Sequence, residues 1–132
     1  MGSTDRLTTA RVAVAQVMAR CAFTADTGDG DGYAAMFTED GVIEGLPNGP
    51  FHGRGEIAGY YNSRQIEDPP RRHHVSTIDT WFDELGVLRS RSYFAIVGAN
   101  LVAGYYEIEF EPSGQEWLIK HKVTHIERRI QW

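Results

Sequence analysis

RRHHVSTIDTWF, residues 71–82, is rich in β-branched and aromatic residues and carries no helix-period stripe, so it reads as an extended strand. Alternation along a strand sends His74, Ser76, Ile78, Thr80 and Phe82 to one face. His73, Val75, Thr77, Asp79 and Trp81 go to the other. One of the two adjacent histidines therefore points toward the interior. Three stretches of the same character follow: GVLRSRSYFAIV (86–97), LVAGYYEIEFEP (101–112) and EWLIKHKVTHIERRI (116–130). Turn signals separate them at residues 84–86, 98–100 and 112–114. Four consecutive strands with short turns predict an antiparallel meander.

The first half of the chain reads differently. From Asp5 to Ala25, apolar residues including Leu7, Val14, Val17, Met18, Cys21 and Ala22 recur mostly at helical spacing. The glycines of DTGDGDGY (26–33) break this helix. GYAAMFTED (32–40) predicts a second short helix capped by Asp29 or Asp31, and EIAGYYNSRQ (56–65) a third. A short strand and turns lie between them. Helices first and then sheet is the α+β pattern, read as one domain over residues 1–132 with three helices packed on a curved sheet.

Bulk composition narrows the function. The chain is 42% apolar and 23% charged, an ordinary globular balance. A net charge of −5 argues against nucleic acid as a partner, because phosphate binding needs a basic face. No apolar run approaches the ~18 residues of a membrane span, so no membrane partner is expected and the expected location is the cytoplasm. The single cysteine, Cys21, excludes an intramolecular disulfide and a multi-cysteine metal site.

The acidic loop invites a calcium reading, and the spacing rejects it. With Gly32 at the glycine position of an EF-hand loop, Thr27 and Thr38 occupy the first and last ligand positions, and the anchoring acid is missing. His121, Val123 and His125 share a strand face, but no third ligand is evident, so no metal is expected. There is no G-x-S-x-G, and GRGEIAG lacks the glycine spacing of a phosphate cradle. Spacing alone reaches an α+β domain with candidate acid–base histidines.

A resemblance extends this. CAFTADTGDGDGYAAMFTEDGVIEG, PFHGRGEIAGYY, RRHHVSTIDTWF, GVLRSRSYFAIV and EWLIKHKVTHIERR, in that order, resemble the SnoaL-like branch of the nuclear transport factor 2-like superfamily. That branch includes scytalone dehydratase, bile acid dehydratase and hexachlorocyclohexane dehydrochlorinase relatives. The resemblance implies a cone-shaped, mostly antiparallel sheet wrapped by three N-terminal helices around an apolar pocket. It also implies a catalytic pair, an aspartate ending the first helix with a histidine opening the first long strand, and Asp26 and His74 occupy those positions. Where the dehydratases often carry tyrosine and the dehydrochlorinase a lysine, this chain has Cys21.

The implied activity is that of a small-molecule lyase or isomerase of dehydratase, dehydrochlorinase or polyketide-cyclase type. It needs no cofactor and acts on a hydrophobic, in the sharpest reading cyclic, substrate. Met18, Cys21, Phe37, Tyr60, Tyr93, Val97, Tyr106 and Phe110 are the expected substrate-binding residues. An apolar outer sheet face with Trp117, Ile119 and Tyr105 points to a homodimer or homotrimer. The alternative implied by similar folds is a non-catalytic small subunit of an aromatic-ring-hydroxylating dioxygenase, or a ligand-binding or dimerisation module. An Asp–Arg–Asp hydrolase is disfavoured, since Asp79 and Arg91 lie on different strands and alternation aims Asp79 away from His74.

Overall fold

The computed structural model describes residues 2–132, apart from the side chains of residues 3 and 4. The order is α1 (Ser3–Asp26), α2 (Gly30–Ala34), β1 (Phe37–Glu44), β2 (Phe51–His52), α3 (Gly53–Asn62), β3 (Arg72–Phe82), β4 (Leu88–Val97), β5 (Asn100–Ser113) and β6 (Glu116–Gln131). The architecture is α+β, and the meander β3–β4–β5–β6 is antiparallel throughout. The sheet has six strands in the order β2-β1-β6-β5-β4-β3, with β1 running parallel to β6. Among the described residues no helix is long and apolar enough to cross a membrane.

One element differs from expectation. The predicted second helix stops at Ala34, and residues 37–40 open β1 instead. A turn or two of isolated helix has little stability of its own. Fully buried Phe37 pairs with Ile119, and the Ile119 N–H donates to the Met36 carbonyl at 2.8 Å. Tertiary pairing overrides local propensity there.

Helix α1 buries Ala10, Val14, Met18 and Cys21, a stripe at spacings of four and three, and it lies over β3. Each large side chain so buried stabilises the fold by about 1.5–3 kcal/mol. Phe37, Ile43, Ile57, Leu88, Phe94, Ile108, Phe110 and Ile119 complete the core against the inner sheet face. Ile119 is therefore core, not part of an outer apolar face, and half-buried Trp117 packs against Phe82 with the Arg6 guanidinium nearby. Tyr105 does lie outward, stacked on His125.

The glycine-rich loop joins helices. Gly28, at φ +70°, follows α1, and the Asp29 carboxylate caps α2 by accepting from the Gly32 N–H at 2.9 Å. Asn62 at the end of α3 locks the loop: its Oδ1 accepts from the Gly30 N–H at 2.8 Å, and its Nδ2 donates to Asp31 at 3.1 Å. This leaves Asp26, at the very end of α1, as the acid of the loop that reaches the sheet.

Three one-residue bulges set which side chains face inward. In β3 the register slips between Ser76 and Asp79, where Thr77 adopts φ +56°. In β6 an extra residue sits at Lys120, between the partners of Phe110 and Glu109, and another at Glu127, between the partners of Gly104 and Ala103. At the last of these Gly104 is required, since a Cβ there would lie 1.8 Å from the His125 carbonyl oxygen. An inserted residue reverses every side chain beyond it, because the strand period is two.

Candidate functional site

The β3 bulge decides the histidine. Beyond it Thr80 is buried and half-buried Phe82 packs against the core, and simple alternation back from them would carry His74 inward. The extra residue reverses the sense, so His73 and Val75 face the interior while His74 and Ser76 are exposed. The expectation that Asp26 meets His74 is thus corrected: its partner is His73. Val75 carried the local signal, as the apolar residue among polar neighbours at the start of the strand, and it shares a face with His73.

Asp26 and His73 form a tight pair. Asp26 Oδ1 lies 2.6 Å from His73 Nδ1, and the His73 backbone N–H donates to both carboxylate oxygens at 3.1 and 3.2 Å. Their side chains are only 6% and 13% exposed, so water screens this contact weakly. Burial pushes the His73 imidazole below the ordinary histidine value. The Asp26 hydrogen bond and charge oppose this without overcoming it, and the Lys122 and Arg64 charges add to the lowering. The ring is therefore neutral at pH 7. With Nδ1–H donated to the carboxylate, the lone pair sits on Nε2.

His73 lines a cavity of about 240 Å³ between α1, α3 and the inner sheet face. Cross-strand pairing builds the wall. His73, Ile96, Val102 and Arg129 form one row, and Val75, Phe94, Gly104 and Ile126 the next. Of the expected binding residues, Met18, Cys21, Tyr60 and Tyr106 line this cavity. Phe37 and Phe110 do not; both are packed in the solid core. Tyr93 and Val97 are corrected too, for they are 59% and 38% exposed on the opposite sheet face, where alternation from inward Phe94 and Ile96 must place them.

The wall is also less apolar than expected. Lys122, which the sequence reading passed over, is 3% exposed and lines the cavity. The Lys120 bulge turns it inward and sends His121 and His125 outward, where they meet Glu44 and Glu107. The Lys122 ammonium donates to Tyr33 Oη at 2.8 Å and lies 4.1 Å from the Tyr106 ring centre, a cation–π contact. Burial pushes its pKa down from the ordinary lysine value. Burial also raises the Cys21 thiol, which keeps it neutral, and raises Tyr33, Tyr61 and Tyr106, which stay phenols able to donate. Among the described residues, no group of three His, Cys, Asp or Glu side chains is placed to hold a metal ion. Asp79 and Arg91 pair at 3.0 Å, but on the outer face, away from His73.

Chemically, the site offers a neutral imidazole with a carboxylate behind it, buried phenols and a buried ammonium around one small chamber. Such a set can remove a proton from carbon and steady the charge that results.

Comparison with known proteins agrees with this architecture. The chain belongs to the SnoaL-like domain family, whose model matches residues 6–123. No curated protein sequence matches it. Rv3472, a protein of unknown function from Mycobacterium tuberculosis, is similar in structure at 24% identity and a TM-score of 0.83, covering 97% of this chain and 78% of that one. A provisionally named scytalone dehydratase from Novosphingobium aromaticivorans is 18% identical with a TM-score of 0.84, covering 98% and 91%. A type 2 hexachlorocyclohexane dehydrochlorinase, LinA, is 15% identical with a TM-score of 0.84, covering 99% and 93%. At these identities the likeness is one of fold.

Proposed function

From membership of the SnoaL-like family and the pair on the cavity wall, we propose that this protein is a cofactor-independent lyase or isomerase in which His73 is the general base. The observation that carries the reading is the 2.6 Å contact between Asp26 and the cavity-lining His73. His73 Nε2 takes a proton from a carbon next to a carbonyl or leaving group. Asp26 stabilises the imidazolium that forms and holds the ring in the tautomer the step needs. The imidazolium then returns the proton, to a departing hydroxyl in an elimination or to another carbon in an isomerisation. General-base catalysis of this kind contributes about 10²–10⁴-fold. The cavity volume suits a one- or two-ring compound. Exposed Tyr93, Val97 and Ile130 on the outer sheet face support self-association as a homodimer or homotrimer. The proposed place of action is the cytoplasm.

Solvent-deuterium exchange at the α-carbon of a panel of small cyclic ketones, followed by proton NMR, tests the base without knowledge of the natural substrate. Wild-type protein should exchange at least one member, His73→Gln should not, Asp26→Asn should exchange it about tenfold more slowly, and His74→Gln should match wild type. Exchange that survives His73→Gln defeats the proposal. Co-purification with a larger iron–sulfur protein, together with no exchange by the wild type, would favour the subunit role instead.

A further inference from the structure

Lys122 has no part in the proton transfer above, yet a buried ammonium is costly to keep unless something compensates it. Tyr33 Oη accepts one of its three N–H donors, and the Tyr106 ring face meets its charge. Among the described residues, no carboxylate pairs with Lys122, or with Arg64 and Arg129, which line the same cavity. Arg71 is joined to Glu67 at 3.7 Å, and Asp26 is engaged behind His73. A chain of net charge −5 therefore encloses a chamber in which cations dominate. A second, independent feature lies beside Lys122. Thr124, two residues along on the same face of β6, also lines the cavity; it is 6% exposed, and its Oγ1 has no hydrogen-bond partner among the described residues. The buried hydroxyls of Ser90 and Ser92 are likewise unpaired among the described residues, but of the three only Thr124 lines this cavity. An ammonium without a carboxylate partner and an orphaned hydroxyl on one wall are complementary to a ligand atom that is negative and accepts several hydrogen bonds.

We propose that Lys122 Nζ and Thr124 Oγ1 form an oxyanion-binding subsite at the inner end of the cavity, so that this protein's ligand is a ring compound presenting an anionic oxygen. That oxygen is either a carboxylate already on the ligand or the enolate oxygen created when His73 removes a proton. In the enolate case no further atom moves: the C–H electron pair passes into the ring carbonyl, the proton goes to His73 Nε2, and the new charge falls beside Nζ. The proposal deepens the function above and rests on that reading's choice of cavity.

Calorimetric titration with 2-naphthoate and its neutral isostere 2-naphthamide at pH 7.5 tests the carboxylate source. Absorbance titration with 2-naphthol, an enolate mimic, tests the other. Wild-type protein should bind naphthoate about tenfold or more tightly than naphthamide, a difference that Lys122→Met removes and Thr124→Val reduces. If naphthoate has no advantage but naphthol binds as its anion well below its ordinary ionisation range, and Lys122→Met abolishes this, the enolate is the source. Equal affinities with neutral naphthol, no binding of either anion, or an anion preference that survives Lys122→Met overturns the subsite. Should Lys122→Met not fold, Lys122→Gln and Thr124→Val carry the same comparison. Ketone exchange lost in His73→Gln without any anion preference sinks the subsite and spares the base. An anion preference without exchange does the reverse.

Discussion

Replacing Asp26 by asparagine isolates what the carboxylate does for His73. The change preserves shape, and the asparagine Oδ1 can still accept from Nδ1–H at the position where the carboxylate oxygen lies 2.6 Å away. What disappears is the charge, together with one of the two oxygens that accept from the His73 backbone N–H. A hydrogen bond to a charged group contributes about 1.5–3 kcal/mol and a neutral one about 0.5–1.5 kcal/mol, so the imidazolium loses roughly 1–1.5 kcal/mol of support. At about 1.36 kcal/mol for each tenfold change in ionisation, the midpoint should fall by about one pH unit. Little screening is expected, since the two side chains are nearly enclosed. His73 already titrates below an ordinary histidine because burial disfavours its charged form, so the variant moves further in the same direction. The assay is a pH titration of the imidazole nitrogens by NMR, with the His73 resonances assigned by their loss in His73→Gln. Wild-type spectra should also show the proton on Nδ1. A midpoint that stays put or rises in Asp26→Asn would refute the account of the pair, whatever the catalytic result.

Other consequences follow from the same geometry. The lowered His73 midpoint makes its contribution to stability fully present above the ordinary histidine value near 6.5; it is lost as the pH falls toward the folded-state midpoint, because the unfolded chain takes up a proton the folded one resists. Melting temperatures from pH 7.5 to 5 should therefore drop more steeply for wild type than for His73→Gln. Lys122→Met should be neutral or stabilising by about 1–4 kcal/mol in urea denaturation, since a buried ammonium without a carboxylate partner is replaced by an apolar side chain of similar size. Thr77→Gly should gain about 0.5–1 kcal/mol, as relief of a β-branched residue at φ +56° outweighs the added freedom of the unfolded chain, and ketone exchange should persist because the bulge is kept. Gly30→Ala should cost about 1–3 kcal/mol, because its Cβ would lie 2.2 Å from the Ala58 carbonyl oxygen and prise α2 from α3.

Much was legible without coordinates. The recurrence of Leu7, Val14, Val17, Met18, Cys21 and Ala22 marks α1, and the four β-rich stretches mark the meander. Met18, Cys21, Tyr60 and Tyr106 do line the cavity, whereas Tyr93 and Val97, on a strand without an extra residue, were assigned to the wrong face. His73, Lys122 and Arg129 were missed, and the cause is shared: each lies beyond a bulge, counted from the clearly apolar part of its strand. Residues 37–40 failed differently, since a five-residue helix and a strand are nearly equal in local preference until β6 offers its edge.

Sequence by itself thus determined the class of fold and most of the order of its elements, because helical and strand periodicities are local properties of the chain; Asp26 was singled out only by the family resemblance. Tertiary structure alone decided which imidazole meets that carboxylate and that an ammonium shares the chamber. An extra residue in a strand is accommodated only through pairing with its neighbours, and each such residue exchanges the inner face for the outer.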